Sequence, residues 1–314
     1  MKKIPVILDG DPGHDDAIAW VLARSSSELD IRACTSVCGN QTIEKTSYNA
    51  LRVMTLIDLR VPFAMGRAKP LVSDAIIAPN VHGQTGLDGP ALPEPTIEPL
   101  KINAVELMAN ILSESEAPIT IISTGPLTNV GALLLLFPQL KPKIARISLM
   151  GGGISFGNWT PAAEFNILVD PEAADIVFRS GIPILMSGLD VTQKALVFPQ
   201  DFERIRQLNN PVAIVVAEWL DFFYEFHRSK GYAGAPVHDA VAVTALIHPE
   251  ILSGEDYYVQ VETTGTFCRG MTIADRLGIY EQPPNARVFS DIQRTAFVDL
   301  LVKAASYYGK VHND

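Results

Sequence analysis

Short, nearly unbroken apolar runs recur along the chain, at residues 4–8, 31–37, 119–123, 145–149 and 182–186. A strand covered on both faces reads this way, because neither side may carry polar groups to water. Between several of these runs apolar residues fall at helical spacing, most clearly over 16–24, 42–57, 104–113, 126–136 and 171–179. Strands alternating with helices predict parallel crossovers, hence an α/β fold with a mostly parallel central sheet covered by helices. No internal repeat, low-complexity tract or linker interrupts the pattern, so residues 1–314 read as a single domain. Two stretches look irregular. Residues 71–100 carry five prolines around "HGQTGLDGP", and residues 229–237, "SKGYAGAPV", come after the aromatic run "WLDFFYEFH". Long irregular loops in compact folds often carry function.

Composition narrows the classes. The 314 residues are 47% hydrophobic and 19% charged, with a formal net charge of -10. That supports a large core and argues against disorder. It also argues against nucleic acid as a partner, since no Lys/Arg cluster offsets the negative balance. No apolar stretch is long enough to span a membrane and no signal peptide opens the chain. Cys34, Cys38 and Cys268 form no disulfide framework or zinc spacing, and Cys34 and Cys38 read as plain core or near-core thiols. A cytoplasmic location is expected.

The chemistry gathers where the strands end, which is where ligands bind in open α/β sheets. The first run delivers Asp9, Asp11, Asp15 and Asp16 within "LDGDPGHDDAIA". The second ends in Gly39-Asn40, the third in Thr124-Gly125-Pro126, the fourth in "MGGG", and then comes "GNWTPAAEFN" with Asn158, Glu164 and Asn166. Later, "GAPVHDAVAV" offers His238 and Asp239 at another helix start. Four aspartates this close repel one another and resist full ionisation. A set of carboxylates, amides and backbone carbonyls suits a hard divalent cation such as Ca²⁺ or Mg²⁺ and a hydroxyl-rich ligand. The lack of lysine and arginine argues against phosphate recognition. The plainer alternative is that the aspartates only cap helix N-termini.

These residues resemble the inosine-uridine-preferring nucleoside N-ribohydrolases. "DGDPGHDDAIA" is similar to the family's DxDPGxDD signature. "CGNQT", "HGQTGLDGP", "STGPLTN", "LMGGG", "GNWTPAAEFNILVDPEAA" and "GAPVHDA" then come in the family's order, from residue 4 to about 245. The blocks are most like those of the bacterial pyrimidine-specific ribonucleoside hydrolases. The resemblance implies Ca²⁺-dependent cleavage of a ribonucleoside to ribose and free base by a homodimer or homotetramer. It implies that Asp11 binds the metal and acts as general base, with Asp16, Asp239 and the Thr124 carbonyl as further ligands. Asp15, Asn40, Asn158, Glu164 and Asn166 would hold the ribose, Asp9 would be structural, and His82 and His238 would serve the leaving base. Such roles suit the reaction, since breaking a ribosyl C–N bond builds positive charge on the sugar.

The other histidines are less marked. His14 reads as structural, His227 reads equally as core or as facing the base, and His248 and His312 carry no signal. The pyrimidine-preferring pattern expects a tyrosine seven or eight residues before the His-Asp pair, where Lys230 stands, with Tyr232 two residues on. This leaves base preference open between pyrimidine-preferring, nonspecific and inosine-preferring. Phe222, Phe223, Tyr224 and Phe226 fit stacking or core packing equally. Two rivals remain. A haloacid dehalogenase-type phosphatase shares the Asp-x-Asp spacing of Asp9 and Asp11 but not the subsequent Pro-Gly-His-Asp-Asp or a phosphate-holding lysine. A non-enzymatic nucleoside-binding protein would have no need to keep Asp11, Asp16, His238 and Asp239 together.

Overall fold

The computed structural model describes residues 3–311, so His312 lies outside the described residues. The strands are β1 (Ile4–Gly10), β2 (Leu29–Ser36), β3 (Phe63–Ala64), β4 (Ile119–Ser123), β5 (Ile144–Met150), β6 (Ile184–Ser187), β7 (Leu196–Val197), β8 (Ala235–Pro236), β9 (Leu252–Tyr257), β10 (Val259–Val261), β11 (Thr272–Ala274) and β12 (Ala286–Ile292). The helices are α1 (His14–Ser25), α2 (Ile43–Leu56), α3 (Pro79–His82), α4 (Ala104–Glu114), α5 (Thr128–Leu136), α6 (Phe165–Val169), α7 (Pro171–Phe178), α8 (Leu189–Thr192), α9 (Pro199–Arg206), α10 (Pro211–Ser229), α11 (His238–Ile247) and α12 (Arg294–Val311).

Eight strands form one sheet in the order β3-β2-β1-β4-β5-β6-β12-β9. Every pairing in it is parallel except β12 with β9. The expected mostly parallel, helix-covered sheet is therefore present. Its apolar runs feed both faces in alternation. Val6 and Leu8 of β1 join the cluster under α1, α10, α11 and α12, whereas Ile7 joins the cluster under α4, α5 and α7. This is the period-2 geometry of a strand buried on both sides.

Three boundaries differ usefully from the sequence expectation. Helix α1 begins at His14 rather than residue 16, which puts Asp15 and Asp16 in its first turn. Helix α5 begins at Thr128, leaving Gly125-Pro126 in the turn after β4. Within residues 71–100 the chain forms one short helix, α3, and Pro79 sits at its start, where a missing N–H costs nothing. Among the described residues no helix is long and apolar enough to cross a membrane.

Candidate active site

Because β1, β2, β4 and β5 run parallel, their carboxyl ends open on one side of the sheet. There the chain leaves β1, turns through residues 11–13 and enters α1. The Asp16 carboxylate folds back over this turn. It accepts the Gly13 N–H at 3.1 Å and the Asp11 N–H at 3.3 Å. The capping role weighed from the sequence is thus real for Asp16, but incomplete. The same carboxylate accepts the Thr124 hydroxyl at 2.6 Å and the Asn40 side-chain amide at 3.1 Å, tying the ends of β1, β2 and β4 together. Asp9 lies beneath this layer, accepting from Thr35 at 2.7 Å and Asn129 at 2.8 Å, and burial pushes it up to about 6.

Asp11 is fully buried. Its Oδ2 accepts the Asn40 backbone N–H at 2.6 Å, while its Oδ1 has no hydrogen-bond partner. Gly39 and Gly125 lie against this carboxylate, and a Cβ on either would strike it. Asp15, Asp16 and Asp239, all buried, each bring an oxygen within 4.8 Å of the others, so the three can hold a metal ion. This tight group takes in Asp15, which the resemblance gives to the sugar, and leaves out Asp11.

Burial, and then repulsion between the carboxylates, holds Asp11, Asp15 and Asp239 well above the usual range. Burial raises Asp16 as well, against the Thr124 hydroxyl and the Gly13 N–H. None of the groups acting most strongly on these four is a lysine or arginine. An all-oxygen set crowded with uncompensated negative charge, with one orphaned carboxylate oxygen, fits a hard divalent cation.

The carboxylates floor a cavity of about 440 Å³, within the usual size of a small-molecule site. All the residues anticipated for the site line it except Asp11 and Asp16, which lie behind its surface. One wall is built by the loop after β5. Glu164 caps α6, accepting N–H groups from Gly152, Asn166 and Ile167 at 2.9, 2.9 and 3.2 Å. Burial outweighs these bonds and lifts it to about 7. Asn166 donates to the Thr124 and Met150 carbonyls at 2.9 and 3.1 Å, so its side-chain oxygen is left to accept. A carbonyl has two lone pairs, and among the described residues only the Asn166 amide is seen donating to that of Thr124. Asn158 is exposed and accepts the Phe165 N–H at 3.0 Å.

The other wall is aromatic and imidazole-rich. His82 stacks on Phe223 at 5.4 Å and on His14 at 5.4 Å. His14, fully buried, reaches the Asp88 carbonyl at 2.8 Å and stacks on Phe222 at 4.9 Å, in keeping with a structural reading. His238 is held by the Thr192 hydroxyl at 2.8 Å. Burial pushes His238 down to about 3 and holds His82 well below its ordinary value, so both rings are neutral at pH 7. The aromatics of α10 divide. Phe223 and Phe226 line the cavity, and Tyr224 packs edge-on against Phe202 at 5.9 Å.

Gly13 sits where these parts meet. A Cβ there would lie 2.5 Å from His82 Nδ1 and 2.8 Å from Asn40 Nδ2. Gly13→Ala is expected to lower kcat/KM about a hundredfold by displacing both side chains, while the far-ultraviolet spectrum stays native. Turnover within about threefold of wild type would show that His82 and Asn40 tolerate the shift.

Ala78, Asn80, Val81, Trp159, Phe165 and Gln193 also line the cavity and were not anticipated. Gln193 had a readable signal. It closes the short helix α8 that follows β6, and the strand-end rule applied to that strand leads to this segment. Trp159 and Phe165 pack against one another with ring centroids 4.8 Å apart and planes tilted by 54°, a contact no spacing announces.

Fold and site together define a nucleoside hydrolase, an enzyme acting on N-glycosyl compounds, and the chain belongs to the inosine-uridine preferring nucleoside hydrolase family, whose pattern matches residues 6–299. It is 55% identical over 308 residues to the pyrimidine-specific ribonucleoside hydrolase RihA of Escherichia coli, covering 97% of this chain and 99% of that one. The same identity and coverage hold for RihA of Escherichia fergusonii. A purine-preferring ribonucleoside hydrolase from Gardnerella vaginalis superposes with a TM-score of 0.92 at 28% identity, over 98% of this chain and 99% of that one. An inosine-guanosine nucleoside hydrolase does so with a TM-score of 0.89 at 28% identity, over 96% and 98%.

Proposed function

We propose that this hydrolase, a single domain over residues 1–314, cleaves pyrimidine ribonucleosides to ribose and free base with a bound Ca²⁺. The observation that carries the reading is the group of buried carboxylates flooring the cavity, which can hold a hard cation and oppose positive charge on a ribose ring. Asp11, Asp16, Asp239 and the Thr124 carbonyl would hold the cation, with Asp15 beside them. A cation bound there supplies positive charge that acidifies water and neutralises the carboxylates.

The chain's own groups do the rest. Asp11 accepts the proton of the attacking water at its unpartnered Oδ1, while the Asn40 amide keeps the carboxylate from turning. Asp15, Asn40, Asn158, Glu164 and Asn166 hold the ribose hydroxyls. As the C–N bond breaks, the ring gains positive charge facing Asp15 and Glu164. The base departs with the electron pair. His82 and His238, kept neutral by burial, donate hydrogen bonds to it rather than delivering protons as imidazolium. The family likeness supports a cytoplasmic homodimer or homotetramer.

Purine-preferring enzymes share this fold at 28% identity, so the fold does not decide the base. The 55% identity to enzymes named pyrimidine-specific favours uridine and cytidine. A nucleoside panel tests this. Uridine and cytidine are expected to exceed inosine in kcat/KM by about tenfold or more, the scale on which pocket contacts discriminate. Inosine turnover equal to or above that of uridine would overturn the preference and favour the nonspecific or inosine-preferring reading.

A further inference from the structure

His227 is absorbed by none of the roles above, yet its ring lines the cavity in the last turn of α10 and is only 7% exposed. Its Nδ1 lies 2.9 Å from the Phe223 carbonyl oxygen, one helical turn earlier. A carbonyl oxygen only accepts, so Nδ1 carries the hydrogen. The ring is boxed edge-on by Phe223 at 4.3 Å, Phe226 at 5.2 Å and Tyr232 at 5.5 Å. Burial among them pushes its pKa down to about 4, so at neutral pH the imidazole holds one proton only. With that proton on Nδ1, Nε2 presents a bare lone pair. Among the described residues no group hydrogen-bonds it.

An acceptor without a protein partner, on a ring that lines a ligand cavity and is open to its solvent, is matched by a donor from the ligand once the site fills. The carboxylate floor accounts for the sugar, which leaves the base. We infer that His227 is a specificity residue whose Nε2 accepts a hydrogen bond from a nucleobase N–H, so that the site selects bases carrying a donor remote from the sugar. Uracil offers N3–H and cytosine its 4-amino group. Lys230, which lines the same cavity and lies 5.6 Å over the Phe226 ring, has only donors, matching the carbonyls that flank uracil N3–H. This inference rests on the nucleoside hydrolase reading above and deepens it by naming the base atom that is read. A base without that donor leaves Nε2 unpaired once bound, and sites built to hydrogen-bond a group reject analogues lacking it.

The test compares uridine, 3-methyluridine and p-nitrophenyl riboside, whose leaving group has no such N–H, in wild type, His227→Leu and His227→Gln. Wild type is expected to turn over 3-methyluridine about a hundredfold or more below uridine. In His227→Leu the uridine to p-nitrophenyl riboside ratio of kcat/KM is expected to fall about tenfold or more, and the preference for uridine over 3-methyluridine to shrink. His227→Gln, whose amide oxygen accepts, should recover most of the uridine ratio. A uridine to p-nitrophenyl riboside ratio in His227→Leu equal to that of wild type would overturn the inference. Nitrogen-15 spectra of histidine-labelled wild type decide independently of any variant's folding. They should show His227 protonated on Nδ1, with its Nε2 resonance moving when uracil binds, and a resonance unmoved at saturating uracil would likewise overturn the inference. Failure of the wider reading looks different. Wild type that cleaves no nucleoside sinks the hydrolase assignment, and wild type that favours inosine sinks only the pyrimidine preference, since hypoxanthine also carries an N–H remote from the sugar.

Discussion

Asp11→Asn is expected to lower kcat for uridine by about 10²–10⁴-fold, the range that removal of a positioned proton acceptor costs. The substitution keeps the shape and removes the proton acceptor together with one of the charges that would hold the cation. An asparagine oxygen can still accept the Asn40 N–H that Asp11 takes at 2.6 Å, and the new amide nitrogen occupies the site of the unpartnered Oδ1. Losing one charge also relieves repulsion from Asp16 and Asp15, so the folded state is not weakened on that account. Steady-state kinetics with a thermal melt separate the two effects. A fall in kcat of less than about tenfold, with the melt unchanged, would mean that another carboxylate receives the proton.

Exhaustive chelation is expected to abolish turnover, and added Ca²⁺ to restore it. The accompanying change in stability is the more searching observation. Asp11, Asp15 and Asp239 are held well above the ordinary carboxylate range by burial and by one another. A carboxyl raised in the folded state binds more protons folded than unfolded. In the chelated protein stability therefore falls as pH rises above the unfolded value of about 3.9 and continues to fall through the raised folded values. With the cation bound these carboxylates are stabilised as anions and the loss over that window disappears. Ca²⁺ at about a hundred times its dissociation constant adds about 2.7 kcal/mol. Melting temperatures across pH 5 to 8, with and without chelator, measure this directly. Full activity in protein shown by metal analysis to hold no ion would mean that the carboxylates work without a cation.

Much of this site was legible because strand ends are legible. The continuous apolar runs that became β1, β2, β4 and β5 direct attention to the residues beyond each strand; Asp11, Asp16, Asn40 and Thr124 fall close after their strands, and Asn158, Glu164 and Asn166 fall further along the segment that follows β5. His82 ends the short helix α3 within an otherwise irregular stretch, and a family motif rather than periodicity brought it forward. Other features stayed hidden for physical reasons. Strand β9, "LSGEDY", forms one edge of the sheet, and β12, "ARVFSDI", lies between it and β6; both carry exposed polar residues, so neither shows a continuous apolar run. Helical spacing in α10 marks a buried stripe but not what faces it, so Phe223 at the cavity and Tyr224 against Phe202 look alike in sequence. The tautomer of His227 depends on a backbone carbonyl one turn away, which no residue type reveals.

The tight carboxylate group joins Asp15 and Asp16, near the amino terminus, to Asp239 on α11, far along the chain. The first two emerge early in synthesis, just past a strand that becomes the third of eight in the sheet. They meet the third only when α11 has been made and has docked against α1. Until then the nascent chain holds two adjacent carboxylates that water and helix-end N–H groups can satisfy. Burying the full set is therefore a late event, and one that closes a very long loop. A cation held by this set would then be captured at the end of folding rather than the start, as a latch on a nearly finished molecule and not as a nucleus for an unfinished one.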